Sequence, residues 1–390
     1  MGKQSSPIRS RTYLVGSDKK RDIHVFSGIT YHLALQGVQD GWLSGMMNLY
    51  PRGIGAWRVY ARAAWWNYGG GVRRRLGFQF TDGYLDGIWK RGLRILQGAT
   101  VINNFQLFGL QFLQSHQAFG IVPYFYIDAT LGEYFGDYRR FDTAGIGESV
   151  IRHALAVERA GYARSHKLAV MSKRSATYLV QHYDVPRDRI HVVPPGANIP
   201  EHLIEKFDDQ HEPNFASKKR SLTVGFIGLS PERKGLPTIS EAVRLLRSAG
   251  YDVCLNVIGA CPPEISQQDG VNHFGLIDKS TDMDHFIEIM QGIDIGCMLS
   301  RAEAAGIAYL EFLRMGVPVI AADVGGAPEI LELGAGQLGS PETSAPELAQ
   351  LLAEMIDEPY RLEELREKAW RRRHNASWRR AVRELKVLLA

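Results

Sequence analysis

DIGCMLSRAEAAGIAYLEFLRMGVPVIAAD, residues 294–323, reads as a strand, a turn, a helix and a second strand. DIGCMLS (294–300) and VPVIAAD (317–323) are short apolar runs of strand length, whereas the apolar residues of 306–316 recur every three or four positions. Gly316 supplies a helix stop and Pro318, two residues on, cannot continue the helix. A strand–helix–strand unit of this kind builds parallel sheet with helices packed on its faces.

The same alternation runs outward in both directions. SLTVGFIG (221–228), DVCLNVIG (252–259) and VNHFG (271–275) are expected as further strands of the second half. DIHVF (22–26), LSGMMNLY (43–50), ATVINN (99–104), IVPYFYI (121–127), KLAVMS (167–172) and IHVVPP (190–195) are the equivalents in the first. Between the halves, EHLIEKFDDQHEPNFASKKRS (201–221) is charged and poor in β-branched residues, and reads as a linker or surface excursion. The expected organisation is α/β, with two Rossmann-like doubly wound domains at 1–200 and 218–365. A basic helical tail begins at Tyr360, its last part being 366–390.

Composition agrees with a folded two-domain chain. Of 390 residues, 45% are hydrophobic and 23% charged, which excludes disordered and fibrous classes. No apolar run reaches the 18 residues of a transmembrane helix, and MGKQSSPIRSRTYLVG at the start lacks the apolar core of a secretory signal, so a cytoplasmic location is expected. Cys254, Cys261 and Cys297 have no metal-ligand spacing and read as reduced core thiols. The net charge of +4 is unevenly spread: residues 1–200 carry 25 Lys and Arg against 13 Asp and Glu, and the remainder 21 against 29. Such asymmetry points to an anionic partner for the first half.

Two stretches carry candidate chemistry. In GLSPERKGLP (228–237), Arg233 and Lys234 stand just ahead of a helix begun near Pro237, where cations are locally unfavourable unless an anion is bound. The bland alternative is that both side chains extend into water. In the second stretch, Glu303 precedes the helix, and Glu311 lies on it among Ile307, Leu310, Phe312 and Leu313. A carboxylate in apolar surroundings needs hydrogen-bond donors, which sugar hydroxyls supply. An i,i+3 pair with Arg314 is the structural alternative. The free amides around Gly306 and Ile307 face the strand-end crevice in which ligands of open α/β sheets bind.

These residues carry a resemblance. Glu303 and Glu311, with seven residues between them in EAAGIAYLE, match the paired glutamates of glycosyltransferase family 4, the retaining transferases of GT-B fold. FIGLSPERKG is similar to that family's phosphate-binding loop, VMSKRSATYLVQHYDVPRDRIHVVPPGANI resembles the segment closing its first domain, and NASWRRAV resembles its returning C-terminal helix. The resemblance implies two domains facing a cleft. It implies that Glu303 approaches the donor sugar, Glu311 binds the nucleotide ribose and Lys234 holds the diphosphate. Amides at Gly306 and Ile307 reach the phosphates, and Gly228, Ala305 and Gly28 join the donor-binding set. Many members carry Arg after the strand-end glycine, where this chain has Leu229; Arg233 is the expected replacement. Many also place a histidine after a central strand of the first domain, where this chain has Asp128 and Thr130. Asp128 is then either a contact to sugar or acceptor hydroxyl, or a turn aspartate.

The implied activity is transfer of a hexose from a UDP- or GDP-linked sugar to a hydroxyl acceptor, with retention, by a front-face route assisted by the diphosphate. Polysaccharide, glycolipid or other glycoconjugate synthesis is the expected setting. No Asp-x-Asp box lies in a suitable loop, since DMD (282–284) precedes a helix, so no metal and no cofactor is expected. A non-catalytic nucleotide- or glycan-binding protein of the same fold and a sugar-nucleotide epimerase are the alternatives.

The first half adds a basic, aromatic segment. Residues 52–81 hold six arginines and no acid, and helical spacing aligns Arg58, Arg62 and Trp65. Such a face suits an anionic membrane, entered peripherally through 52–75, or a lipid-linked acceptor held there. A solvated helix with core tryptophans is the plain alternative. Nucleic acid is not expected, for no recognition module accompanies the charge. In the tail, Trp378, Ala381, Val382 and Leu385 form a stripe expected to pack inward, with the arginines solvated.

Overall fold

The computed structural model describes residues 11–16, 25–49, 56–68, 77–104, 107–137, 145–210 and 221–389. Two compact units emerge: residues 1–193 together with 384–390, and residues 194–383.

The first unit has a six-stranded sheet of β1 (Thr12–Gly16), β2 (Gly45–Asn48), β3 (Thr100–Asn103), β4 (Val122–Ile127), β5 (Leu168–Val170) and β6 (Ile190–Val192), in the order β2-β1-β3-β4-β5-β6. All neighbours pair in parallel. Its core gathers Trp89, Phe108, Phe112, Phe125 and Tyr162, and the Trp89 indole donates to Leu107 O at 3.0 Å.

The second unit holds β7 (Ser221–Gly228), β8 (Asp252–Gly259), β9 (Val271–Gly275), β10 (Ile295–Met298), β11 (Val319–Ala322) and β12 (Gly336–Gly339), ordered β12-β11-β10-β7-β8-β9 and again wholly parallel. Both units are doubly wound and Rossmann-like. From β7 the chain proceeds to β8 on one side, whereas β10 lies on the other, so the winding reverses between β7 and β10. That reversal opens a crevice at the strand ends, the place where ligands of open α/β sheets bind. Gly225 of β7 and Gly296 of β10 are register partners where these two strands pair. Side chains at either would strike the Phe312 ring, a β-carbon on Gly296 coming 2.6 Å from Cδ2. The glycine pair thus seats Phe312 and brings the helix Ile307–Arg314 down onto the sheet.

Several expectations need correction. DIHVF is not the first strand: residues 22–24 lie outside the described residues and Val25–Gly28 is a 3-10 turn. TYLVG takes the place, with Leu14 and Val15 buried between β2 and β3, because a strand covered on both faces reads as a short continuous apolar run. GQLG, the edge strand β12, is half glycine and gives no apolar signal. The polar stretch is not an excursion throughout, since Glu201–Gln210 is a helix with Ile204 and Phe207 buried.

The division also falls earlier than the polar stretch, between Val193 and Pro194. The reason is the tail. Arg380 donates to Pro194 O and Pro195 O at 2.8 and 2.7 Å, Ala197 N to Ala376 O at 2.8 Å, and Trp378 Nε1 to Asn198 Oδ1 at 3.0 Å, which bind 194–198 into the second unit. The stripe of Trp378, Ala381, Val382 and Leu385 is buried as expected, but Arg380 is buried with it rather than solvated. Only residues 384–390 join the first unit, where Lys167 Nζ donates to Leu388 O at 2.8 Å.

Candidate active site

The second unit's crevice is walled by two loops, one after β7 and one after β10. Pro231–Lys234 forms a single helical turn closed by Gly235, whose φ of 79° is open to glycine alone at little strain. A β-carbon there would also come 2.6 Å from Leu299 O. The two loops are stitched together: Arg301 N donates to Arg233 O at 2.8 Å, and Arg233 Nη1 to Ala302 O at 2.5 Å. Gly228 leaves a lane for the Lys234 stem, since a side chain at 228 would meet Lys234 Cδ at 2.5 Å.

Glu303 lies between these cations. Its Oε2 is 3.5 Å from Lys234 Nζ and 3.7 Å from Arg233 Nη1, and all three side chains are largely buried. Burial by itself would raise the Glu303 carboxyl. Lys234, then Arg233, and the Gly306 amide outweigh it and hold the group below the usual carboxylate range. Ser300 Oγ donates to the same oxygen at 3.4 Å and receives the Tyr309 hydroxyl at 3.1 Å. The turn itself rests on 324–326, where Gly326 N donates to Ala304 O at 3.1 Å and Gly325 takes a φ of 56°. Ala305 and Ile307 are buried, and Gly306, at φ 62°, starts the helix.

Arg233 and Lys234 therefore do not extend into water. Nor does Glu311 pair with Arg314: that guanidinium is buried, donates to Glu201 Oε2 at 2.8 Å and contacts His374 Nδ1 at 2.9 Å. The partner of Glu311 is Lys279, whose Nζ is 2.5 Å from Oε1. Nothing in the sequence marks Lys279, which sits in the polar run DKSTDMDHF, 32 residues from Glu311.

The expected site residues of the first half belong to the other unit. Gly28, at φ 75°, caps the helix Ile29–Gln39. Asp128 follows β4 and its Oδ1 accepts from Ala129 N at 2.9 Å. Next to it is an unforeseen acidic pair. Glu158 accepts from Leu131 N at 2.7 Å, Tyr162 Oη at 2.7 Å and Tyr183 Oη, and Glu133 accepts from Thr130 N and Ser175 Oγ at 2.9 and 3.1 Å. Burial pushes Glu158 up to about 7 against those hydrogen bonds. The thiols are free, and Cys297 is fully buried.

The helix Ala56–Tyr68 contains the tryptophans of the basic segment. Trp66 packs against Phe78, with ring centroids 6.4 Å apart, but Trp57 is 60% exposed and Trp65 72%. Arg58, exposed, lies 5.5 Å from the Trp57 ring centroid. Arg73, Arg74 and Arg75 lie outside the described residues.

Residues 207–372 match the family model described as glycosyl transferases group 1. A D-inositol 3-phosphate glycosyltransferase of Corynebacterium aurimucosum is 25% identical over 236 residues, 57% of this chain and 56% of the relative. The chain spans about half the length of the curated relatives it matches. Among solved structures, sucrose-phosphate synthase from Thermosynechococcus elongatus aligns with a TM-score of 0.67 at 16% identity, covering 98% of each chain. HepE of Anabaena, solved with UDP and glucose, aligns at 0.61 and 15% identity over 97% of this chain and 99% of its own. At such identities the likeness is one of fold, and that fold is GT-B. The chain thus has the GT-B fold, and its residues 207–372 match the model of glycosyl transferases group 1.

Proposed function

We propose that this protein is a retaining glycosyltransferase that moves a hexose from a nucleotide-diphosphate sugar to a hydroxyl acceptor, in the synthesis of a polysaccharide, glycolipid or other glycoconjugate. The observation that carries the reading is Glu303 held between Lys234 and Arg233 where the winding of the sheet reverses. Breaking a sugar–diphosphate bond puts negative charge on the leaving phosphate. Two preset cations and the amides at Gly306 and Ile307 are the donors that charge needs, each such donor contributing about 2.7–4 kcal/mol to a transition state. Glu303 then addresses the sugar and Glu311 the ribose. The cations take the place of a metal ion, and the diphosphate itself assists the acceptor hydroxyl.

Calorimetric titration of UDP, GDP and their hexose conjugates in the presence of a chelator, followed by product analysis, tests this. Binding with turnover is expected. Binding without transfer or hydrolysis would leave a non-catalytic binding protein, and an altered free sugar nucleotide would leave an epimerase.

The acceptor side is proposed to meet an anionic lipid surface through the helix Ala56–Tyr68. Val59, Ala63 and Trp66 are its half-buried positions, while Trp57, Arg58, Tyr60, Arg62 and Trp65 are exposed. Exposed tryptophan among cations, on a helix with no acid of its own, is the composition of an interfacial helix, each arginine adding about 1 kcal/mol near anionic lipid. Flotation with phosphatidylglycerol vesicles at low and high salt is the test. Salt-sensitive association is expected, and its absence at low salt would remove the membrane from the proposal.

A further inference from the structure

Glu311 is expected to accept hydrogen bonds from ribose hydroxyls, yet one of its two oxygens is already taken. Lys279 Nζ donates to Oε1 at 2.5 Å, and among the described residues no second polar partner reaches the carboxylate. The lysine lies between β9 and the helix Met283–Gln291, and its ammonium stands 4.2 Å from the Phe286 ring centroid. That ring is fully buried. A cation so close to an aromatic face is attracted by the ring as well as by the carboxylate, so two contacts fix it. The glutamate is fixed from the other side, because its helix is seated by Phe312 on Gly225 and Gly296. The acid is 2% exposed and the lysine 21%, which excludes much of the water that would otherwise loosen the pair.

We propose that Lys279 is a positioning residue for nucleotide recognition, and that it makes the site selective for a ribose over a deoxyribose. This rests on the assignment of Glu311 to the ribose. With Oε1 occupied, the carboxylate cannot turn about its terminal torsion without losing the ammonium, and Oε2 is presented in one direction. A ribose hydroxyl donating to Oε2 then meets a preset acceptor. A sugar lacking that hydroxyl leaves a buried oxygen unpaired, and sites built to bond a hydroxyl discriminate strongly against its absence. Without Lys279 the carboxylate turns freely, and binding the hydroxyl must first order it.

The experiment measures affinity for UDP or GDP, whichever the wild type binds more tightly, and for its 2′-deoxy and 3′-deoxy forms. The full chain is used as wild type, Lys279→Met, Lys279→Arg, Glu311→Gln and the Lys279→Met/Glu311→Gln pair. Wild type is expected to prefer the ribonucleotide to at least one deoxy form. Lys279→Met should weaken the ribonucleotide about tenfold and reduce that preference. It should raise KM for the sugar donor while kcat stays within about twofold. Lys279→Arg should restore most of the preference, and the double variant should be no weaker than Glu311→Gln alone. If Glu311→Gln changes neither affinity nor preference, the ribose assignment falls and the proposal with it. If Glu311→Gln abolishes the preference but Lys279→Met leaves it intact, the assignment stands and the proposal is overturned. Equal weakening of ribo and deoxy forms by Lys279→Met, or tighter binding, would also overturn it: the lysine would then act as general charge, or as a plug.

Discussion

Glu303 holds Lys234 at 3.5 Å, carboxylate to ammonium, across the gap between the loops that follow β10 and β7. The acid meets the two cations to which the proposed reading assigns the donor's phosphates. Donor binding on the proposed reading exchanges one anion for another around Lys234 and Arg233.

Removing the lysine should therefore weaken the ligand's phosphates. Lys234→Ala is expected to reduce affinity for the nucleoside diphosphate at least tenfold, or about 1.4 kcal/mol. Isothermal titration with UDP and GDP measures it, and unchanged affinity would remove Lys234 from the site.

Removing the competing anion should act in the opposite sense on binding. Glu303→Gln is expected to tighten the bare nucleoside diphosphate severalfold while lowering transfer by at least a hundredfold. Titration and turnover measured on the same preparation separate the two effects. Parallel losses in both would mean that Glu303 merely supports the loop.

The seat of Phe312 yields a packing prediction. Gly296→Ala places a methyl against the ring, and overpacking of this kind destabilises by about 1–3 kcal/mol. Donor affinity should fall as well, because Glu311 moves with the helix. Phe312→Leu in the same chain should recover part of both losses, as read by thermal unfolding and titration.

Glu158 gives a pH dependence. Burial lifts its carboxyl from an ordinary 4.5 to about 7, so the folded state retains a proton that the unfolded chain releases. Its contribution is fully present below about pH 4.5, declines as pH rises toward 7 and is level above that. Glu158→Gln should flatten this decline. The thermal midpoint of the variant, followed from pH 5 to 8, should fall less than that of the wild type. Parallel curves would show that another group titrates.

Much of the second unit was legible because its strands are long and buried: SLTVGFIG and DVCLNVIG have the bounds read from sequence. β1 and β12 were not. One is a five-residue apolar run beside a basic start, and the other is two exposed side chains between glycines. The cations at 233 and 234 and the two glutamates announced themselves as local anomalies, charges where local burial or the helix dipole disfavours them. Their partners did not, because ion pairs such as Lys279 with Glu311 and Arg314 with Glu201 are made by tertiary packing and leave no mark on spacing. The same blindness applies to Arg380, whose basic neighbours suggested a solvated face.

The clamp of Arg380 on Pro194 and Pro195 joins positions 186 and 185 residues apart, and Lys167 meets Leu388 across 221. Neither half can close its own circuit until residues 380–388 have emerged from the ribosome. Maturation of both halves is thus expected to wait on residues 376–388, with the early-made portion incompletely buttressed until they arrive. Clipping after residue 375 should consequently undo both halves, though the crevice between β7 and β10 lies far upstream in the chain.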